Sequence, residues 1–305
     1  MNSNFILPSP IQELTHPLFE EKALSVFVKR DDEIHPSVSG NKWRKLKYNL
    51  LAAQKEHHTL LTFGGAFSNH IAATAVAGQV FQFKTIGIIR GEAYAPLNYT
   101  LQLAQDHGMQ LHYVSRTAFR TPDRLALAKT LVQEDFYFLP EGGTNTLALK
   151  GCAELVAEIE VQMGGHLPDY ICTCCGTGGT LAGIVSGLGG RSHAIGVSAL
   201  KGDFLTAAVR QLLPNQTAKN WQIINDYHFG GYAKFKPELI TFINDFKAKH
   251  QIPLDPIYTG KLFYGIFDLM AKDFFPPNQT ILLVHTGGLQ GIYGFNQRFG
   301  NLLNN

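Results

Sequence analysis

Short apolar segments alternate with helical segments along the whole chain, and this alternation constrains the fold more than any other feature. The predicted strands are residues 26–28, 60–63, 85–89, 111–114, 136–139, 170–172, 193–197 and 280–284. The predicted helices are residues 43–50, 71–76, 99–106, 149–163, 181–188, 205–213, 239–250 and 264–272, with one more that begins at Pro122. Strands that are apolar throughout are typical of parallel sheets covered by helices on both faces. We therefore predict an α/β protein with doubly wound, mainly parallel sheets.

The length of the chain leaves room for two such units. It has 305 residues, of which 45% are hydrophobic, and this is enough apolar material for about two domains. The segment Glu141-Gly142-Gly143-Thr144-Asn145 is rich in turn-forming residues. It is the predicted return point between the two α/β units.

Charge and hydropathy argue against several kinds of partner. The net charge is +2 and the charges are dispersed, so we expect no nucleic-acid or anionic-membrane binding. The N-terminal segment lacks the pattern of a signal peptide, and no run reaches the roughly 18 apolar residues of a membrane span. We expect a cytoplasmic protein. The four cysteines lack the paired spacing of a metal site, so we predict buried thiols and no metal.

Lys42 is the first candidate for chemistry. It follows a Gly-Asn turn and stands at the start of a predicted amphipathic helix, with Lys45 three residues later. Residues three apart share a helix face, so both amines can point at one anionic cofactor. The alternative is a pair of ordinary exposed lysines.

A glycine-rich loop, Gly176-Thr177-Gly178-Gly179-Thr180, ends a predicted strand and opens a helix. Backbone N–H groups at such a helix N-terminus favour a phosphate, and a bare turn is the alternative. A dinucleotide fingerprint fails, because Leu181 stands where the third glycine belongs and no acidic residue ends the next strand. A P-loop fails as well, because no Gly-Lys-Ser/Thr follows.

A polar turn, Ser68-Asn69-His70, follows the strand at residues 60–63. Ser68 suits a helix N-cap, and the turn also suits a substrate carboxylate. His70 lacks a second histidine at metal-ligand spacing.

Two later segments also carry polar groups that suit a planar cofactor. Tyr258 and Thr259 suit a planar ring, by stacking and hydrogen bonding, although Tyr258 alone fits simple packing. The segment 285–288 ends the last predicted strand and is a candidate for the cofactor wall. A lysine nucleophile, an anion-binding loop and the polar turn together suggest pyridoxal phosphate (PLP).

Six segments occur in the order found in one enzyme group: SGNKWRKLKY, GGAFSNH, EGGTN, CGTGGT, LDPIYTGK and HTGG. On these residues the chain resembles the PLP-dependent D-cysteine desulfhydrase and 1-aminocyclopropane-1-carboxylate (ACC) deaminase group, within the tryptophan-synthase-β-like fold (fold type II). The resemblance runs from about residue 18 to residue 294. It implies a homodimer of two-domain subunits with the cofactor in the cleft. The small domain would be residues 45–146, and the large domain residues 1–44 and 147–305.

The resemblance also implies roles for individual residues at the cofactor. Lys42 would form the Schiff base, while Lys45 and the loop 176–180 would hold the phosphate. Asn69 would meet the phenolic oxygen of PLP, and Thr259 would face its pyridine nitrogen.

Further roles implied by the resemblance concern the substrate. Ser68 and His70, with Asn69, would line the substrate carboxylate site, and Tyr258 would lie against the ring. Tyr232 would be a second active-site tyrosine, although Gly230-Gly231-Tyr232-Ala233 departs from the usual Gly-Tyr-Gly pattern.

Two segments resemble the desulfhydrase side of the group. ACC deaminases look like YEGK where this chain has Tyr258-Thr259-Gly260-Lys261, and SNQ where it has Ser68-Asn69-His70. Another departure is Phe67, where the group often has glutamine. The resemblance implies α,β-elimination from D-cysteine or a similar β-substituted amino acid, with Lys42 or Ser68 removing the Cα proton. The alternatives are an ACC deaminase and a PLP-binding regulatory protein without turnover.

Overall fold

The computed structural model describes residues 5–304 and contains two sheets. The strands are β1 (Ile11–Leu14), β2 (Ser25–Lys29), β3 (Thr59–Gly65), β4 (Lys84–Arg90), β5 (Met109–Val114), β6 (Tyr137–Leu139), β7 (Tyr170–Cys175), β8 (His193–Ser198), β9 (Trp221–Ile224) and β10 (Thr280–Val284). The helices are α1 (Pro17–Glu21), α2 (Gly40–Ala53), α3 (Asn69–Phe81), α4 (Tyr99–Asp106), α5 (Arg116–Phe119), α6 (Arg124–Leu131), α7 (Thr146–Gln162), α8 (Gly179–Leu188), α9 (Phe204–Leu212), α10 (Pro237–His250), α11 (Thr259–Ala271) and α12 (Gln290–Phe299).

The larger sheet has the strand order β1-β2-β10-β7-β8-β9. All neighbours are parallel except β1, which pairs antiparallel with β2 at the edge. Its central strands are buried along almost their whole length, as predicted from their continuous apolar character. One apolar cluster packs on each face of this sheet, so the sheet is covered by helices on both sides.

The smaller sheet has the strand order β5-β4-β3-β6 and is parallel throughout. Its strands lie between residues 59 and 139, within the range predicted for the small domain. The predicted boundary at residue 45 falls inside α2, which continues unbroken from Gly40 to Ala53. The domain bounds remain a prediction.

Several elements were not predicted from the sequence. They are the strands β1 and β9 and the helices α1, α5 and α12. Helix α11 begins at Thr259, five residues before the predicted start at 264, because Asp255 caps its first turn. Other boundaries agree closely: α4 spans residues 99–106, and Gly108 follows it with a φ of +80°. Within residues 5–304, no helix is long and apolar enough to cross a membrane.

Candidate active site

A cavity of about 480 Å³ opens between the two sheets, where their parallel strands end. Gly65 and Arg90 end β3 and β4 of the smaller sheet, and Cys174 lies at the end of β7 in the larger one. Ligands of α/β proteins bind at the carboxyl ends of parallel strands. The fold therefore places the motif-bearing loops of both halves around one space.

Lys42 reaches this cavity because the N-terminus of α2 packs tightly against the loop after β10. Gly40 has a φ of +62°, and a Cβ added there would lie 1.9 Å from the carbonyl oxygen of Thr286. The N–H of Asn41 donates to the same oxygen at 3.3 Å. Only glycine fits this close approach with a left-handed backbone, so the turn before Lys42 fixes the position of its side chain.

The surroundings of Lys42 favour the unprotonated form of its amine. Burial and the nearby Lys45 lower its pKa from 10.5 to about 7. The Lys42 side chain is half-buried, lines the cavity, and makes no hydrogen bond or ion pair with other residues in the range 5–304. A lysine that loses its proton near neutral pH can act as a nucleophile and as a base.

The glycine-rich loop and Lys45 form a cradle for an anion. Gly178 is the N-cap of α8, with a φ of +79°. The N–H groups of Thr177 and Gly178 have no acceptor in the described part of the chain, and the first N–H groups of a helix have none within it. The Lys45 amine donates to the Gly142 carbonyl at 3.0 Å and to the Thr144 hydroxyl at 2.9 Å. Free donors at a helix N-terminus beside an amine fit a phosphate group.

Asn69 lines the cavity, and its side-chain NH2 group is available as a hydrogen-bond donor. Its Oδ1 accepts a hydrogen bond from the Gln290 amide at 2.8 Å, which fixes the orientation of the Asn69 amide. Its Nδ2 donates to no residue between 5 and 304, and thus suits an acceptor such as a phenolic oxygen. Ser68 caps α3 by accepting from the Ile71 N–H at 3.3 Å, so the predicted N-cap is confirmed. Its hydroxyl proton stays available to the cavity that Ser68 lines.

The tautomer of His70 follows from its neighbours. Thr62 donates its hydroxyl proton to the Leu139 carbonyl at 3.0 Å, so it accepts from His70 Nε2, also at 3.0 Å. His70 Nδ1 is then a bare acceptor, and this buried atom has no hydrogen-bond partner among the described residues. Burial, Lys42 and Lys45 hold the pKa of His70 well below 6.5. Binding a carboxylate would require a protonated ring, so His70 suits a hydrogen-bond donor better than the carboxylate predicted from the sequence.

Two tyrosines lie on another wall of the cavity. The rings of Tyr232 and Tyr258 are 6.2 Å apart at an interplanar angle of 63°. Burial and the neighbouring Tyr232 raise the pKa of Tyr258 well above 10, so its hydroxyl keeps its proton at neutral pH. Lys261 donates to the carbonyl oxygens of His228 and Gly231, both at 2.8 Å, and so anchors the loop that carries Tyr232.

Thr286, in the loop after β10, lines the cavity together with Thr177 and Thr180 of the glycine-rich loop. The Oγ1 of Thr286 lies 3.0 Å from the sulfur of Cys174. Thr259 is fully buried and is not part of the lining, because its hydroxyl is bonded to Asp255. The role of Thr259 at the ring nitrogen therefore remains a prediction from the resemblance.

The other predicted site residues all line the one cavity: Lys42, Lys45, Ser68, Asn69, His70, Gly176, Thr177, Gly178, Gly179, Thr180, Tyr232 and Tyr258. Arg90 and Glu141 also line the cavity and were not predicted as site residues. No motif marks Arg90, and the segment EGGTN that contains Glu141 was interpreted only as a turn between the two units and as part of the resemblance. All four cysteines are buried and unpaired, as predicted. Residues 5–304 contain no group of three or more potential metal ligands.

The cavity offers a lysine at its wall, an anion cradle at a helix N-terminus and a free amide donor, which together fit PLP. The profile of a family described as pyridoxal-phosphate-dependent enzymes matches residues 3–287. The chain belongs to this family. It is a PLP-dependent enzyme of fold type II, with PLP as its cofactor.

The curated relatives place the chain in the ACC deaminase and D-cysteine desulfhydrase group. A putative ACC deaminase of Thermotoga maritima is 30% identical over 311 residues, which cover 95% of this chain and 97% of the relative. A mitochondrial bifunctional D-cysteine desulfhydrase/ACC deaminase of Arabidopsis thaliana is 30% identical, over 98% of this chain and 80% of the relative.

A solved structure shares the fold over its full extent. The crystal structure of an ACC deaminase homologue has a TM-score of 0.82 and 28% identity, and covers 98% of this chain and 95% of its own. A fungal L-serine ammonia-lyase from Rhizomucor miehei has a TM-score of 0.66 at 17% identity, with 92% and 94% of the two chains covered. This second likeness concerns the fold alone.

Proposed function

We propose that this enzyme catalyses α,β-elimination from D-cysteine, or a similar β-substituted amino acid, to give pyruvate, ammonia and sulfide. The observation that carries the proposal is that Lys42, with its pKa lowered to about 7, lines the same cavity as Tyr258, whose pKa is raised well above 10. Elimination needs a base for the Cα proton and an acid for the sulfur that leaves Cβ. This cavity contains both.

The binding residues have separate tasks. The loop 176–180 and Lys45 would hold the phosphate of PLP, and Asn69 Nδ2 would donate to its phenolic oxygen. When bound, PLP supplies the electron sink that makes the Cα–H bond of an amino acid acidic. The Ser68 hydroxyl would donate to the substrate carboxylate, and the neutral His70 Nδ1 would accept from an N–H or O–H donor.

The reacting groups follow from protonation states. Lys42 is the first candidate to take the Cα proton, because a pKa lowered to about 7 leaves a large share of its amine unprotonated near neutral pH, and Ser68 is the other candidate for this base. The hydroxyl of Tyr258 or Tyr232 would protonate the departing sulfur. Water then releases pyruvate and ammonia.

ACC deamination to 2-oxobutyrate and ammonia is the second candidate. The putative ACC deaminase of Thermotoga maritima and the bifunctional enzyme of Arabidopsis thaliana, both similar to this chain, favour it. The segments Ser68-Asn69-His70 and Tyr258-Thr259-Gly260-Lys261, which resemble the desulfhydrase side, favour D-cysteine. A regulatory protein without turnover is disfavoured, because Lys42, Ser68 and Tyr258 all line the cavity.

We further propose that the enzyme acts in the cytoplasm as a homodimer. The resemblance to the desulfhydrase group supports the dimer. Sedimentation of the PLP-loaded enzyme tests the dimer: a monomer at micromolar concentration would contradict it.

The deciding assay measures sulfide, pyruvate and 2-oxobutyrate from a panel of D- and L-cysteine, β-chloro-D-alanine and ACC. We expect sulfide and pyruvate in equal amounts from D-cysteine, and none with Lys42→Ala. An enzyme that turns over ACC efficiently and D-cysteine poorly would reverse the order of the two candidates. Release of neither keto acid from any of these compounds would overturn both.

A further inference from the structure

A second cavity, of about 410 Å³, lies beside the active-site cavity. Its wall is mainly aromatic and aliphatic, with the side chains Phe67, Tyr232, Phe235, Ile257, Phe295 and Phe299. Two basic side chains, Lys234 and Arg298, also line it, and among the described residues no acidic one does. The ring of Phe235 packs edge-on against Phe295 and Phe299, at 4.8 Å and 5.0 Å between centroids. The aromatic part of the wall suits an apolar group, and aromatic rings favour edge-on contacts.

The second cavity adjoins the active site at three points. Tyr232 lines both cavities. Phe67 lines the second cavity, and the next residue, Ser68, lines the active-site cavity. In the same way, Ile257 lines the second cavity and Tyr258 the active-site cavity. The two cavities are therefore neighbours that share Tyr232 as a lining residue.

Tyr232 stands between the cavities on a loop of unusual backbone. Gly231 before it has a φ of +118°, and Ala233 after it has a φ of +53°. The Tyr232 side chain is 41% exposed, while Lys261 anchors the Gly231 carbonyl from below. Lys261 therefore fixes the base of the loop, and the Tyr232 side chain contributes to the walls of both cavities.

We propose that the second cavity is a subsite for a large apolar group, preferably an aromatic one, on the β-sulfur of the substrate. This inference rests on the proposed elimination and names the substrate class as S-substituted cysteines. The Cβ–S bond breaks with its electron pair going to sulfur, which takes one proton. With one water consumed, an S-substituted cysteine yields pyruvate, ammonium and the free thiol.

The test compares S-benzyl-D-cysteine with S-methyl-D-cysteine on the PLP-loaded enzyme. Calorimetry measures the Kd of each compound, and thiol and pyruvate release measure turnover. Because the benzyl ring would be removed from water by the aromatic wall, we expect its Kd to be at least about tenfold lower. Equal or weaker binding of the benzyl compound would overturn the subsite.

Variants locate the effect. Phe235→Ala and Phe299→Ala should raise the Kd for the benzyl compound about fivefold to tenfold and leave the KM for D-cysteine unchanged. Phe274→Ala is the matched control, because its side chain is 37% exposed against 38% for Phe299 and it lines neither cavity. If Phe274→Ala weakens benzyl binding as much as the other two, the aromatic wall is not the subsite.

The outcome is separable from the proposed function. If the enzyme releases no pyruvate from D-cysteine, the proposed elimination is contradicted. The Kd values from calorimetry would still show whether the second cavity binds the benzyl group. Turnover of D-cysteine with no preference for the benzyl compound in binding would overturn the subsite alone.

Discussion

The hydroxyl of Thr259 donates to the Asp255 carboxylate at 2.7 Å and accepts the Asp255 backbone N–H at 2.8 Å. The same carboxylate accepts the backbone N–H groups of Ile257, Tyr258 and Thr259. These bonds cap α11 and fix the turn that carries Tyr258. A Thr259 hydroxyl that faced the pyridine nitrogen would have to give up its bond to Asp255.

We predict from this geometry that Thr286, not Thr259, governs the cofactor spectrum. Thr286→Val removes a hydroxyl from the cavity wall and should shift the absorption band of bound PLP. Thr259→Val should leave the band in place and lower the free energy of unfolding by about 1–3 kcal/mol, because it leaves buried partners unpaired. A shifted band in Thr259→Val together with an unaltered band in Thr286→Val would support the original assignment of Thr259.

Lys261 should control Tyr232 through the loop it anchors. Lys261→Met removes its bonds to the carbonyls of His228 and Gly231 and the longer one to Ala199, at 3.4 Å; each carbonyl would cost about 1–3 kcal/mol if left buried and unpaired. We expect faster amide exchange in residues 228–234 and a lower kcat. The decisive comparison is a double-mutant cycle with Tyr232→Phe. If Lys261 acts by placing Tyr232, the double variant should be little slower than Tyr232→Phe alone; fully additive losses would argue for independent roles.

The pKa of Lys42 predicts a distinctive reactivity in the cofactor-free protein. Only a neutral amine reacts with acetic anhydride, and burial together with Lys45 lowers the pKa of Lys42 to about 7. Trace acetylation with peptide mapping should therefore show Lys42 half-maximally reactive near pH 7, with little further gain above pH 9. Exposed Lys55 serves as the internal standard. A Lys42 profile that parallels Lys55 over the whole range would refute the lowered pKa.

Gly40 should be intolerant of a side chain because of its contact with Thr286. Gly40→Ala places a Cβ at 1.9 Å from the Thr286 carbonyl oxygen and so displaces the turn before Lys42. Gly108→Ala is the matched control: its φ is also positive, at +80°, and its added Cβ meets nothing within 4 Å. Both variants should lose about 1 kcal/mol from backbone strain. Gly40→Ala should also lose PLP affinity, which a PLP titration would measure; equal affinity in the two variants would show that the contact does not matter.

The sequence revealed those parts of the fold that depend on local pattern. Buried parallel strands such as β7 and β10 are mostly apolar along their length, and this pattern is visible in the sequence. The glycines of the loop 176–180 are equally easy to recognise in the sequence. The edge strands β1 and β9 are only four residues long and mix polar with apolar positions, so neither period nor length marks them. Their pairing depends on the neighbouring strand, which a local pattern does not contain.

In the candidate site, too, some features follow from local sequence pattern and others depend on the folded chain. The sequence identified Lys42 and Lys45 because the i, i+3 spacing follows from helix geometry. The tautomer of His70 depends on Thr62 and Leu139, which only the folded chain brings into contact. The entry of Arg90 depends on its place at the end of β4. These two facts arise from tertiary contacts, which a local pattern does not contain. The bond between Thr259 and Asp255 is local and lies within the segment LDPIYTGK, but the residue types alone do not show that it forms.

The most direct test of the account is to find which lysine binds the cofactor covalently. The PLP-loaded enzyme is reduced with borohydride, digested, and its labelled peptide sequenced by mass spectrometry. We predict a single label on Lys42, which Lys42→Ala abolishes while the protein still binds PLP noncovalently through the cradle. A label on Lys45, Lys261 or any other lysine of the wild-type enzyme would contradict the assignment of Lys42 as the residue at the centre of the site.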